Sequence, residues 1–467
     1  MRRRSDRSSL DPSHPQSELI AHDEGPLLAL GVAGSGRTEA LARRLARLAG
    51  EGEQAIALTC SHATALDLRS RAEEAVTGPF EEILVQPHRI AAVRLLREHA
   101  TEAGLNPFVD SLSAAERLAM LLDRVDELPL RRHEIRGNAA GLLARIVGRI
   151  DALKAAGAGP GEFRAWTDGL TRDAGDEPAR DSAEREREFA QIYEIHDAIL
   201  HEAGLIDGGS AVLELTGLLA ERPALAEAIS ERFPHLIVDE LEDACPAERA
   251  LIERLARGAR TVVLACDDDQ GRASCEGGAE WARGALRNPA EVVLEESWRY
   301  GTGVLDAAHA VLSPSGTREQ PRRAGGPDTE VAFWRCANER AEAQAVAREI
   351  ESSLAAAEVS VGGVCVAVPA GGGRLRTMAA ALEERRVPHR VGTGRAFFHR
   401  PEVRDVIAWL RLLADPTDAA AAVRALSRPP VELRSVDLAR CTTIARRRKL
   451  DMVSALEASL ESPQIPP

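Results

Sequence analysis

An apolar run, LLAL (27–30), leads into the glycine-rich stretch GVAGSGRT (31–38), and Leu41, Leu45 and Leu48 follow at helical spacing. Strand, glycine turn and helix in that order need a sheet to hold the strand. They also leave backbone N–H groups at the helix start as a cradle for an anion. The stretch fits the phosphate-loop pattern G-x-x-x-x-G-K-[ST] at every fixed position but one, because Arg37 stands where a lysine belongs. Gly31, Val32, Ala33, Gly34, Ser35, Gly36, Arg37 and Thr38 are therefore the candidate nucleotide-binding loop, with the Thr38 hydroxyl a candidate Mg2+ ligand.

Such a loop needs acids on a later strand to hold the metal and to activate water. LIVDE (236–240) supplies them, with Asp239 as the candidate metal ligand beside Thr38 and Glu240 as the candidate that orients or deprotonates water. Strand-like runs at 27–30, 55–59, 235–239, 261–266 and 291–295 alternate with helical patterns, which predicts an α/β parallel sheet. Residues from about 100 to 230 read as almost entirely helical. GTREQPRRAGGPDTE (316–330) reads as a linker, and EVAFWR (330–335), VGGVCVAV (361–368) and PHRVGT (388–393) read as strands of a second α/β unit.

The net charge of -14 argues against non-specific coating of nucleic acid, although a local basic groove is compatible with it. The 7 cysteines form no C-x-x-C pair, so neither a disulfide framework nor a zinc site is expected. MRRRSDRSSL has no apolar segment behind it, and no apolar run is long enough for a membrane span. A cytoplasmic protein without membrane contact is the expectation. Lys154 and Lys449 are the only lysines, so arginine carries nearly all the positive charge.

LIVDELEDACPAERALIERLARGARTVVLACDDDQ (236–270) resembles the acid-pair and following segments of UvrD/Rep-like superfamily 1 DNA helicases. Other stretches match that family in order. LDPSHPQ (10–16) resembles its Q motif, in which a glutamine reads the adenine edge, and Gln16 is the candidate. ALTCSHATALDLRSR (57–71) and QPHRIAAVRLLREH (86–99) resemble its DNA-contacting segments through Thr59, Arg71 and His88. LEESWRYGTGVLDAAHAVL (294–312) resembles a further family segment, in which Arg299 matches the arginine that contacts the terminal phosphate and Trp298 replaces the tyrosine that stacks on the base. Gln270 matches a glutamine near the nucleotide, and residues 387–418 resemble the second motor segment.

The resemblance implies two RecA-like P-loop parallel-sheet domains with a helical insertion, the second domain incomplete. It divides the chain into a flexible N-terminus with the Q motif (1–25), domain 1A (26–100 and 200–315), insertion 1B (101–199), a partial domain 2A (328–415) and the start of a helical 2B-like region (416–467). It implies ATP and Mg2+ as cofactors, single-stranded or partly duplex DNA as partner, and 3′ to 5′ movement in repair or recombination.

Departures from the pattern fall on the chemistry. Arg37 exchanges a compact ammonium for a planar fork. Glu242 replaces a glutamine and adds negative charge beside the acid pair. GRASCEGGA (271–279) has Ala273, Cys275 and Glu276 where the family has two aromatics and an arginine, which predicts a weaker grip on DNA bases. Counterparts of the late motifs are not found, as expected for part of a longer polypeptide or a truncated relic. Two functions stay open on these residues: an ATP-dependent helicase, or a catalytically degenerate helicase-like subunit in a helicase–nuclease complex.

Overall fold

One parallel sheet organises the first part of the chain. Its strands are β1 (Gly25–Gly31), β2 (Ala55–Thr59), β3 (Ile83–Pro87), β4 (His235–Val238), β5 (Thr261–Cys266) and β6 (Ala290–Leu294), in the order β3-β2-β4-β5-β1-β6. The computed structural model describes residues 11–76, 83–133, 139–271, 275, 277–312, 322–323, 329–368, 373–391, 401–415, 417–448 and 450–460. All the expected runs of the first part lie on strands. β3 was not among them: only Ile83, Leu84 and Val85 mark it before Pro87, which an edge strand tolerates.

Alternate residues feed two cores. Leu28, Ile56, Leu58, Leu236, Val238 and Leu264 pack on one face, and Leu27, Ala29, Ala57, Ile237, Val263 and Ala265 on the other. Both faces are covered by helices, as a parallel sheet requires. Helix α1 (His14–Ala21), within the segment expected to be flexible, is set by a Ser13–Gln16 capping box; α2 (Arg37–Gly50) follows β1 directly. Because the strands are parallel, the loops after β1, β4 and β5 emerge at one edge of the sheet, where α/β proteins bind ligands.

Between β3 and β4 the chain is mostly helical. Helices Ala114–Asp123, Ala139–Ala155, Pro160–Asp173 and Glu177–Glu202 share their own core, including Leu143, Ile146, Phe163, Phe189 and Tyr193. Beside it lies a buried polar cluster. Lys154 Nζ donates to Asp197 (2.7 Å), Asp207 (2.5 Å) and Ser210 (2.7 Å), tying this bundle to helix Gly208–Glu221. Ligand-type atoms of His196, Asp197 and Asp207 lie within 4.8 Å of one another, but the Lys154 ammonium already neutralises them.

His235 opens β4 with its ring buried. Arg260 donates to Nε2 (2.8 Å) and Nδ1 lies 2.7 Å from Thr261 Oγ1, which fits a neutral ring protonated on Nδ1. Burial, then the Arg260 and Arg44 charges, push its pKa down to about 4 from 6.5. Between those values the unfolded chain takes up a proton that the folded chain refuses, so stability falls as pH drops through the window. Thermal midpoints should therefore fall by several degrees more for the native chain than for His235→Gln as pH is lowered from about 7 to about 4.5.

Residues 332–467 form a second compact unit. Helices Glu339–Ala355 and Arg374–Glu384 pack through Ala343, Ala347, Met378, Ala381 and Leu382. The strands expected at 330–335, 361–368 and 388–393 are not formed by the described residues there; Val361–Gly363 is a short 3-10 turn. A parallel strand needs a ladder partner and cover on both faces. Phe333 and Trp334 are instead exposed, and the apolar content of this unit is spent on helix pairs. Residues 392–400, which carry much of the expected second motor segment, lie outside the described residues, as do Ala273 and Glu276.

Candidate functional site

The loop after β1 is held on three sides. Gln16 Nε2 donates to the Ser35 carbonyl (2.9 Å), while its Oε1 accepts from Ser13 N (2.9 Å). Trp298 N donates to the Gly34 carbonyl (2.9 Å) and Ser297 Oγ to that of Ala33 (2.9 Å). These contacts leave no room for a side chain at Gly34 or Gly36. Gly34 and Gly36 have φ of 81° and 83°, and a Cβ would lie 2.7 Å from Arg299 Cβ at the first and 2.5 Å from Gln16 Nε2 at the second. Gln16, Trp298 and Arg299 are thus gathered at the loop. Trp298 and Arg299 are exposed, the latter with its guanidinium 5.7 Å from the Tyr300 ring centre.

Across the loop, Thr38 Oγ1 donates to Asp239 Oδ2 at 2.8 Å. Asp239 is buried, and burial pushes its carboxyl pKa up, although the Thr38 hydroxyl and Arg37 oppose this. Glu240 N donates to Asp239 Oδ1 (3.0 Å), and Glu240 adopts φ 60°, a left-handed conformation that turns the chain at the end of β4. Burial and the neighbouring Asp239 raise its pKa as well. Two oxygen donors at 2.8 Å, one a buried carboxylate short of positive charge, suit a hard cation such as Mg2+. Ser35 Oγ, buried with no hydrogen-bond partner among the described residues, adds an unused polar atom inside the loop.

The UvrD/REP helicase N-terminal domain matches residues 13–271, more than half of the chain, and the UvrD-like helicase C-terminal domain matches residues 292–459. The chain belongs to the UvrD/Rep helicase family. It is 29% identical over 448 residues to the ATP-dependent DNA helicase UvrD1 of Mycobacterium tuberculosis (strain ATCC 25618 / H37Rv), covering 90% of this chain and 55% of that protein. It is 26% identical over 462 residues to DNA helicase II of Escherichia coli (strain K12), covering 96% and 60%. The chain therefore spans less than two thirds of the length of these curated relatives.

Within this UvrD/Rep framework, the candidates Gln16, Thr38, Asp239, Trp298 and Arg299 lie together at the loop, whereas the DNA-contact candidates Thr59 and His88 are buried. Thr59 is fully buried and donates to the Ser61 carbonyl (3.0 Å). His88 is 1% exposed, and burial holds its pKa down. A motif marks a position in the chain; burial decides whether its side chain can touch a ligand. Arg71 is half-buried and bonded to Asp67 (2.8 Å) and Glu39 (3.1 Å). Glu242, read as negative charge added beside the acid pair, has a cationic neighbour. It lies 3.6 Å from Arg37 Nη1, and Asp267 lies 3.6 Å from Arg37 Nη2. Burial pushes Glu242 up to about 7, against the pull of Arg37. Asp267, placed by the end of β5 and bonded to Gln270 Nε2, escaped the sequence reading although it follows the buried run TVVLAC.

Proposed function

We propose that this chain is the nucleotide-binding motor portion of an ATP-dependent DNA helicase or translocase of the UvrD/Rep type. On this reading it moves 3′ to 5′ on single-stranded or partly duplex DNA in repair or recombination, in the cytoplasm. The observation that carries the reading is the 2.8 Å contact between Thr38 and Asp239, with Glu240 next in the chain. Thr38 and Asp239 would hold Mg2+, which shields phosphate charge when bound. Glu240 would orient or deprotonate water, and Gln270, bonded to Asp267 at the end of β5, would act near the nucleotide. Gln16 would meet the adenine, Trp298 would stack on it, and Arg299 would reach the terminal phosphate, since all three border the loop.

A second reading, a non-hydrolysing helicase-like subunit beside an active helicase or nuclease partner, is favoured by one observation. Arg37, in the lysine position, is engaged by Glu242 and Asp267 rather than left free for phosphate. DNA-stimulated ATP hydrolysis by the native chain and by Arg37→Lys distinguishes the two. Phosphate release above background from the native chain, raised about tenfold or more by Arg37→Lys, is expected for the motor. Silence in both, with Mg2+–nucleotide binding intact, would leave only the second reading.

A further inference from the structure

Two residues depart from the family pattern at the nucleotide site, Arg37 and Glu242, and they touch. The Arg37 stem runs back across Gly31, where an added Cβ would lie 2.7 Å from its Cγ. Its fork then spans two carboxylates, Nη1 to Glu242 and Nη2 to Asp267, each at 3.6 Å. All three side chains are nearly sealed, at 11%, 5% and 7% exposure. The planar fork turns a different terminal nitrogen toward each acid, whereas an ammonium would have to meet both from one atom.

The acids are fixed in advance. Glu242 Oε2 accepts from Asp267 N (3.0 Å), and Asp267 accepts from Asp269 N (3.2 Å) and from Gln270. Arg37, by contrast, is held by charge alone: Nη1 is buried without a hydrogen-bond partner among the described residues. Nη1 is thus unspent among the described residues while the acids are anchored, so the guanidinium is the movable member.

We propose that Glu242, with Asp267, is a positioning residue that holds Arg37 back from the phosphate cradle, so that a bound triphosphate must compete with these carboxylates for the guanidinium. Arg37 and Glu242 are then one coupled replacement rather than two independent losses. This rests on the reading of the loop as a nucleotide site, and two measurements on the full chain separate the failure of one from the failure of the other.

The first is a thermal-unfolding cycle without nucleotide, using Arg37→Met, Glu242→Gln and the double variant. Arg37→Met leaves two buried acids facing each other, and its midpoint should fall by about 5 °C; adding Glu242→Gln should restore at least half of that loss. Additive losses would overturn the pairing. The second is titration with Mg2+ and a fluorescent, non-hydrolysable ATP analogue. Glu242→Gln should bind it about tenfold more tightly than the native chain, whereas Glu253→Gln, on the exposed Arg257 pair, should bind as the native chain does. Equal or weaker binding by Glu242→Gln, with the native chain binding, would overturn the competition. If none of the variants binds the analogue, the nucleotide reading itself fails, and the unfolding cycle still decides whether Glu242 holds Arg37.

Discussion

Glu240→Gln is expected to lower DNA-stimulated ATP hydrolysis about 10²–10⁴-fold while leaving Mg2+–nucleotide affinity within a few-fold of native. The split follows from the geometry. Asp239 keeps its 2.8 Å contact with Thr38, so the pair that would hold the metal survives, and glutamine keeps the size of Glu240 but cannot take a proton. Glu240→Gly gives a sharper form of the test. At φ 60° any residue with a Cβ carries about 1–2 kcal/mol of strain, which glycine does not. That variant should melt at a higher temperature than Glu240→Gln and be equally inactive. Phosphate-release rates, analogue titrations and thermal melts on the two variants check all three statements. A Glu240→Gln protein that hydrolyses ATP at the native rate would remove Glu240 from the water-activating role.

Strands of the first unit were legible because a parallel sheet buried on both faces demands uninterrupted apolar runs, and HLIV and TVVLAC are such runs. The same rule misled at EVAFWR. The run has the composition of a strand, but a ladder partner is a property of the rest of the fold, and Phe333 ends exposed. The loop and the acid pair were legible from spacing alone, because each lies at the end of its own strand. Partnerships between distant segments were not. Nothing local to Arg37 or Glu242 announces the other, and each read singly looked like damage. Gln16 was placed by resemblance, yet its bond to the Ser35 carbonyl, which fastens α1 to the loop, becomes visible only in three dimensions.

Lys154 shows what composition could have said and did not. In a chain that uses arginine almost everywhere, a retained lysine asks for a reason, and 0% exposure with three short bonds supplies one. A compact ammonium has three donors, and here it meets three acceptors: Asp197, Asp207 and Ser210. A guanidinium would need space that the stem does not have, since a Cβ on Gly209 would already come within 2.9 Å of Lys154 Cβ. Burial alone would raise the Asp207 pKa, but Lys154, Arg117 and the Ser210 amide hold it down to about 2, so the carboxylate stays charged across the ordinary pH range. Removing the ammonium therefore strands buried negative charge. Lys154→Met should lower stability by about 3–5 kcal/mol in urea unfolding, and Lys154→Arg should also destabilise, by overpacking. Lys154→Met combined with Asp207→Asn should recover part of the loss, because the amide keeps its oxygen for the Gly209 and Ser210 amides while giving up the charge. The cluster joins the helical insertion to helix Gly208–Glu221, which packs into the sheet's core, so the loss should also uncouple the two: a single unfolding transition in the native chain should separate into two in Lys154→Met. An unchanged midpoint in that variant would mean that water reaches the two carboxylates and that the ammonium holds nothing together.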